Sequence, residues 1–277
     1  MLTTFQLATS DGLHLSGISY TPPGEIKGVV VLLHGMGEHF GRYKHVADFF
    51  STIKYATVGM DHRGHGNSGG KKGHTSSYDQ LMNDIDLLMN KTKEMFPGKP
   101  IVLYGHSMGG NLAANYALRK KPSLQGLILT GPYFRLAFNP PAWKVKLARI
   151  SARIIPTLTQ RTGFEVEAIS RDPKVVEAYK ADSLVHYKIS SAFFVNVHSA
   201  GPYAIEHANE LTMKTLAMHG TADRLTSSKA TEEFANKNPQ KVELKLWDGL
   251  YHEIHNEPEK QQVFDYIANW LSKNDRG

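Results

Sequence analysis

Six short apolar runs, separated by amphipathic stretches, constrain what this chain can fold into. They are GVVVLL at 28–33, YATVGM at 55–60, PIVLY at 100–104, LQGLILT at 124–130, TLAM at 215–218 and VELKLW at 242–247. Each is rich in β-branched residues or leucine and gives way to Gly, His, Asp or a polar turn, the pattern of a buried strand. Helical patterns fit between them at 42–53, 77–95, 109–120, 227–236 and 258–273. That alternation predicts an α/β protein with a mostly parallel sheet and helices on both faces. Two further strands, at 4–8 and 14–20, flank Ser10-Asp11-Gly12. This hairpin signal predicts an antiparallel start and about eight strands in all.

The alternation fails once. About 85 residues separate the run ending at Thr130 from the one starting at Thr215, too many for a crossover. Pro140-Pro141 and Pro156 punctuate this interval, and helical patterns fill it. The expectation is a core formed by 1–134 and 203–277, with 135–202 inserted over it as a cap. Within the cap, Trp143, Leu147, Ile150 and Ile154 make one helical stripe, while Lys146, Arg149 and Arg153 occupy another face. The stripe reads either as packing between cap and body or as a basic amphipathic surface that contacts membrane lipid transiently. Phe134, Phe138, Phe193 and Phe194 are further candidates for an apolar wall.

Composition excludes several functions. The 277 residues include no cysteine, which removes disulfides, thiolate zinc sites and a cysteine nucleophile. The net charge is +6, but residues 135–200 alone hold ten Lys or Arg against five Asp or Glu. Most of the excess therefore sits in the cap, without interleaved aromatics, so nucleic acid is not an expected partner. No run of about 18 apolar residues predicts a membrane span. Met1 to Gln6 carry neither a basic nor an apolar signal region, so the expected location is cytoplasmic, with peripheral approach to membranes. The sequence leaves the oligomeric state open.

The chemistry centres on Gly105-His106-Ser107-Met108-Gly109. G-x-S-x-G is common by itself, but here an apolar strand runs straight into it and a helical stretch follows at once. A serine held on such a strand–turn–helix elbow is exposed for attack, and glycines two positions either side supply the room that a tight turn needs. A nucleophilic serine also needs an oxyanion hole, a base and an acid to orient the base. The amide of Met108 supplies one oxyanion donor. The amide of Met36, in His34-Gly35-Met36-Gly37 after the 28–33 run, supplies the second. If the chain order is serine, acid, histidine, the base is His252, the first histidine of a loop that also holds His255. The acid is Asp223, on the loop after the 215–218 run; Asp248 is the rival, but it lies only four residues from His252.

These residues resemble the monoacylglycerol lipase family of α/β-hydrolases, in its soluble lysophospholipase-like branch. The segment HGMGEHFGRY at 34–43 looks like the family's HGxGEHxxRY, and DHRGHGNS at 61–68 is similar to its DxxGHGxS turn. GHSMGG at 105–110 is similar to its elbow, ADRL at 222–225 to its acid loop and YHEIH at 251–255 to its histidine loop. The cap carries a matching Ser170-Arg171-Asp172-Pro173, Tyr179 and Asp182. The resemblance implies an α/β-hydrolase fold, catalytic roles for Ser107, Asp223 and His252, and a polar pocket around Glu38, Arg42 and His255 for glycerol hydroxyls. Glu38 and Arg42 are also four apart near a helix start, the spacing of a simple ion pair. Asp61, His62 and His65 suggest metal ligands at first sight but read better as a structural turn, because the mechanism calls for no metal and no cofactor.

The sequence thus predicts a serine hydrolase acting on a lipid-like ester, with monoacylglycerol cleaved to glycerol and fatty acid. The rivals are a lysophospholipase, a broad carboxylesterase and, outside enzymes, a non-catalytic ligand receptor on the same scaffold. Serine rather than aspartate at 107 excludes dehalogenase and epoxide hydrolase chemistry.

Overall fold

Every apolar run forms a strand in the computed structural model, which describes residues 1–274. In chain order β1 (Leu2–Ala8) and β2 (His14–Tyr20) form the expected hairpin, and β3 (Gly28–Leu33), β4 (Tyr55–Met60), β5 (Ile101–His106) and β6 (Gly126–Thr130) follow. After the long interval that follows β6 come β9 (Thr215–Gly220) and β10 (Val242–Trp247). The sheet runs β1-β2-β4-β3-β5-β6-β9-β10, antiparallel through β1, β2 and β4 and parallel from β4 onward. Side chains of a strand alternate between faces, and β3 shows the consequence. Val29, Val31 and Leu33 enter one core, and Val30 and Leu32 enter the other.

Helices α1 (Lys44–Thr52) and α8 (Lys260–Asn274) cover one face. Helices α2 (Tyr78–Met95), α3 (Met108–Lys120) and α7 (Ser228–Asn236) cover the other. Ser77 and Ser227 cap α2 and α7 by accepting from the amides of Gln80 and Ala230. The helix expected over 42–53 is shorter than its pattern. A 3₁₀ turn, Phe40–Tyr43, precedes it, and Tyr43 at φ −96°, ψ 14° delays the α-helix to Lys44.

The interval between β6 and β9 contains α4 (Ala142–Ile154), α5 (Pro173–Ala181), α6 (Ser191–Glu206) and a short antiparallel pair, β7 (Thr159–Arg161) with β8 (Lys188–Ser190). That pair went unread in the sequence, since its three-residue strands lie far apart and share no turn signal. The expected boundary at 202/203 falls inside α6, whose Phe193, Val197, Ala204 and Ile205 belong to the main core. The reading of the α4 stripe as packing onto the body is corrected. Helix α4 buries no residue, and Trp143 and Ile154 are 64% and 72% exposed. Among the described residues no helix is long and apolar enough to cross a membrane.

Candidate active site

Ser107 stands at the end of β5, near the middle of the sheet, at φ 55° and ψ −117°. Such a backbone is strained for any residue with a side chain and persists only where its surroundings enforce it. Here the Ser107 amide donates to Thr130 O (3.0 Å), and its carbonyl accepts from Asn111 N (3.0 Å) and Tyr133 N (2.9 Å). The flanking glycines are a steric requirement. A Cβ on Gly105 would lie 2.3 Å from Gly109 O, and one on Gly109 would lie 2.0 Å from Leu33 O. Met108 opens α3, so its amide is among those without an intrahelical acceptor.

The loop after β3 is fixed from both sides. The His34 ring donates from Nδ1 to Gly35 O (2.7 Å) and accepts at Nε2 from His62 N (2.9 Å), which holds it neutral. From the segment just before β8, His186 N donates to Gly37 O (2.8 Å). That close approach requires glycine, since a Cβ on Gly37 (φ 78°) would lie 2.5 Å from His186 O. Met36, on this loop, and Ser107 line one cavity of about 960 Å³ that extends under α4 to Trp143 and Leu147.

His252 lines the same cavity, and its Nδ1 lies 2.7 Å from Asp223 Oδ2. Burial disfavours protonation of His252, but the Asp223 carboxylate outweighs it, with smaller help from Glu253 and Glu38, and the imidazole pKa rises above its usual value. Burial would likewise raise Asp223, yet His252 and His219 hold its carboxyl well below the usual carboxylate range. The rival Asp248 is engaged elsewhere, accepting from Thr221 Oγ1 (3.1 Å) at the surface. Met36, Ser107 and His252 thus line one cavity, with Asp223 buried behind the His252 ring and Met108 following the serine in the chain.

Around the polar end the expectation needs revision. Glu38 lines the cavity, accepting from Gly35 N (2.6 Å), from Tyr43 Oη (2.6 Å) and from Arg42 Nη1. Arg42 lies behind, forked onto Glu253 through two 2.8 Å bonds, and Glu253 also lines the cavity. Two carboxylates thus share one guanidinium. Burial raises Glu253, but Arg42 outweighs it and brings its pKa down to about 2. Burial raises Glu38 too, with Arg42 opposing, but all three of its partners are donors, which suits the ionised form. His255 is packed between the rings of Tyr43 (5.1 Å), His45 (6.0 Å) and His106 (4.7 Å), and burial lowers its pKa well below the usual value. It braces the pocket from behind.

The turn at 61–66 is structural in every polar contact it makes. Asp61 accepts from Phe40 N and Asn67 N, both at 2.8 Å, and Arg63 forks onto buried Asp84 through two 2.7 Å bonds. Among the described residues no cluster of three His, Asp or Glu could hold a metal. Sequence reasoning missed Glu253, His219 and Thr226. Glu253 adjoins the base and Thr226 follows the acid by three, but neither spacing reveals the tertiary partner. His219 sits four before Asp223, which was a readable signal.

A strained serine on a strand–helix elbow, sharing a cavity with a histidine that is paired to a buried aspartate, fits a serine hydrolase of the α/β-hydrolase fold. Residues 24–259 match the family described as serine aminopeptidase, S33. A monoacylglycerol lipase of Mycolicibacterium smegmatis is 34% identical over 91% of this chain and 90% of its own length. The chain is 35% identical to an uncharacterized abhydrolase domain-containing protein of Dictyostelium discoideum but spans only 28% of its length. The crystal structure of Paleococcus ferrophilus monoacylglycerol lipase, 29% identical, covers 94% of this chain and 99% of its own, with TM-score 0.86. The chain belongs to this hydrolase family, in its monoacylglycerol lipase branch, and is a serine ester hydrolase.

Proposed function

We propose that the chain hydrolyses monoacylglycerol to glycerol and a free fatty acid through Ser107, His252 and Asp223. The 2.7 Å contact between Asp223 Oδ2 and Nδ1 of His252, a ring that lines the same cavity as Ser107, carries this reading. Ser107 Oγ attacks the ester carbonyl while His252 Nε2 accepts its proton, and the amides of Met36 and Met108 receive the oxyanion. His252 then gives that proton to the departing glycerol oxygen, leaving the acyl group on Ser107. Water attacks the acyl-enzyme as His252 takes its proton, and the fatty acid leaves as Ser107 Oγ regains one. Asp223 stays ionised throughout and stabilises the imidazolium.

Two features support a neutral, hydroxyl-bearing leaving group. Glu38 and Glu253 offer carboxylate oxygens to glycerol hydroxyls, with Arg42 holding both from behind and His255 packed against Tyr43, the donor to Glu38. At the polar end Glu38 and Glu253 share the single guanidinium of Arg42, which disfavours a phosphate there and so a lysophospholipid. The apolar cavity under 135–202, the cap in this reading, suits the acyl chain. The exposed Trp143, Leu147 and Ile154, with Lys146, Arg149 and Arg153 on the same helix, support transient contact of α4 with a lipid surface.

The test is a panel of monoacylglycerol, lysophosphatidate and a short aryl ester with wild type and Glu253→Gln. Monoacylglycerol should be preferred over lysophosphatidate by about a hundredfold, and the variant should narrow that gap about tenfold while sparing the aryl ester. Equal rates on both lipids would overturn the head-group reading.

A further inference from the structure

Asp223 receives more donors than acyl transfer requires. Its Oδ1 accepts from the amides of Leu225 (2.7 Å) and Thr226 (3.0 Å). Its Oδ2 accepts from His252 Nδ1 (2.7 Å), from the Thr226 hydroxyl (2.8 Å) and from a second imidazole, His219 Nε2 (2.9 Å). Thr226 has one proton to give and also lies 3.0 Å from Gly131 O, so its donation is divided. His219 is the remaining side chain committed to the carboxylate.

The surroundings of His219 fix its orientation. Its Nε2 also faces Thr226 O at 3.2 Å and Thr226 Oγ1 at 3.3 Å, and since the carboxylate and the carbonyl can only accept, that nitrogen carries the proton. On the far side Nδ1 lies 2.7 Å from the hydroxyl of Thr231, a fully buried residue of α7. The side chains of His219 and Asp223 are both 0% exposed, so neither contact competes with water. The ring is thus fastened between α7 and the acid, at the end of β9.

We propose that His219 is a positioning residue for ester hydrolysis, sharing Asp223 Oδ2 with the base and setting how much of that oxygen's charge reaches His252. This rests on the reading of Ser107, His252 and Asp223 as the reacting set. With His219 in place, Oδ2 is pinned and its negative charge is divided between two imidazoles. Without it Oδ2 keeps only His252 and the divided Thr226 hydroxyl, more of its charge reaches His252, the imidazolium is stabilised, and the carboxylate loses one fixed contact. The base then stays protonated to a higher pH and turns over more slowly when deprotonated. The titratable groups around His252 are Asp223 on the β9 side, His106 at the elbow with rings 4.7 Å apart, and Glu253, Glu38 and His255 toward the polar end. Among these only Asp223 touches His219.

The test compares His219→Leu, His219→Gln and Thr231→Val, each shown folded by its melting curve, in kcat, KM and the pH dependence of kcat/KM on monoacylglycerol. His219→Leu should lower kcat about tenfold with KM within about twofold, and move the acid limb upward by roughly half a unit. His219→Gln presents an amide N–H near the lost imidazole N–H and should restore most of both. Thr231→Val loosens the ring from behind without touching Asp223 and should shift the limb the same way by less. A folded Thr231→Val and His219→Leu with the wild-type limb, or equal defects in the Leu and Gln variants, would overturn the role. If His219→Leu does not fold, wild-type limbs in both Thr231→Val and His219→Gln would overturn it, and a raised limb in Thr231→Val alone would support it. Asp223→Asn separates the two claims. If it retains kcat, the triad reading falls; if it is inactive while His219→Leu is normal, only the positioning role falls.

Discussion

Helices α3 and α4 are both 13 residues long and both adjoin the cavity, yet they are built on opposite principles. Helix α3 buries every residue from Met108 to Leu118, starting at the strained serine, whereas α4 buries none. Attack on an ester needs its groups fixed within fractions of an ångström, and only a fully packed element supplies that precision. Admission of an acyl chain needs apolar surface that can be reached, which a buried helix cannot offer. The division runs through the whole site. Asp223 is saturated with donors and Glu38 with three, while Trp143, Leu147 and Ile154 are offered outward.

Breaking the fixed side should cost far more than breaking the exposed side. The largest effect is expected for Asp223→Asn, which keeps the shape but removes the anion that orients His252. It should lower kcat by about 10⁴. In wild type the raised pKa of His252, set by the Asp223 carboxylate, places the acid limb of kcat/KM above the usual imidazole range, and activity is lost as pH falls through that limb. The residual activity of Asp223→Asn should have its acid limb lower than wild type, and a limb that does not move would break the assignment of Asp223.

The smaller effects sharpen the contrast between the helices. Leu112→Ala, at a fully buried position of α3, should destabilise by about 2–5 kcal/mol in denaturant unfolding. Combined Trp143→Ser, Leu147→Ser and Ile154→Ser should change stability by no more than about 0.5 kcal/mol per site. The triple variant should hydrolyse a dissolved short ester normally while binding anionic vesicles several-fold more weakly. Loss of stability in that variant, or unchanged vesicle binding, would show that the stripe packs rather than docks.

Much of this organisation was legible in the chain. Runs such as 28–33 reveal strands because burial on both faces leaves no polar alternation, and the elbow is legible because its glycines answer a local steric need. Asp223 and His252 were reachable through chain order alone. What could not be read depends on distant partners. The α4 stripe has one periodicity whether it faces a core or solvent, so sequence could not choose between them. Glu253 and Arg42 are 211 residues apart, and nothing local in either announces the pair. The expected contacts of Arg42 and His255 with glycerol became bracing contacts because Glu253 and the Tyr43–His45 rings occupy their polar and apolar faces.

The central claim is that one strained serine performs the chemistry. Wild type and Ser107→Ala should be treated with a fluorophosphonate, mapped by peptide mass spectrometry, and assayed on monoacylglycerol in parallel. The account predicts a single adduct on Ser107, activity lost in proportion to labelling, and a Ser107→Ala protein that takes no label and loses a factor on the order of 10⁴–10⁶ in kcat. An adduct on another residue, or a Ser107→Ala protein that still cleaves monoacylglycerol near the wild-type rate, would contradict it.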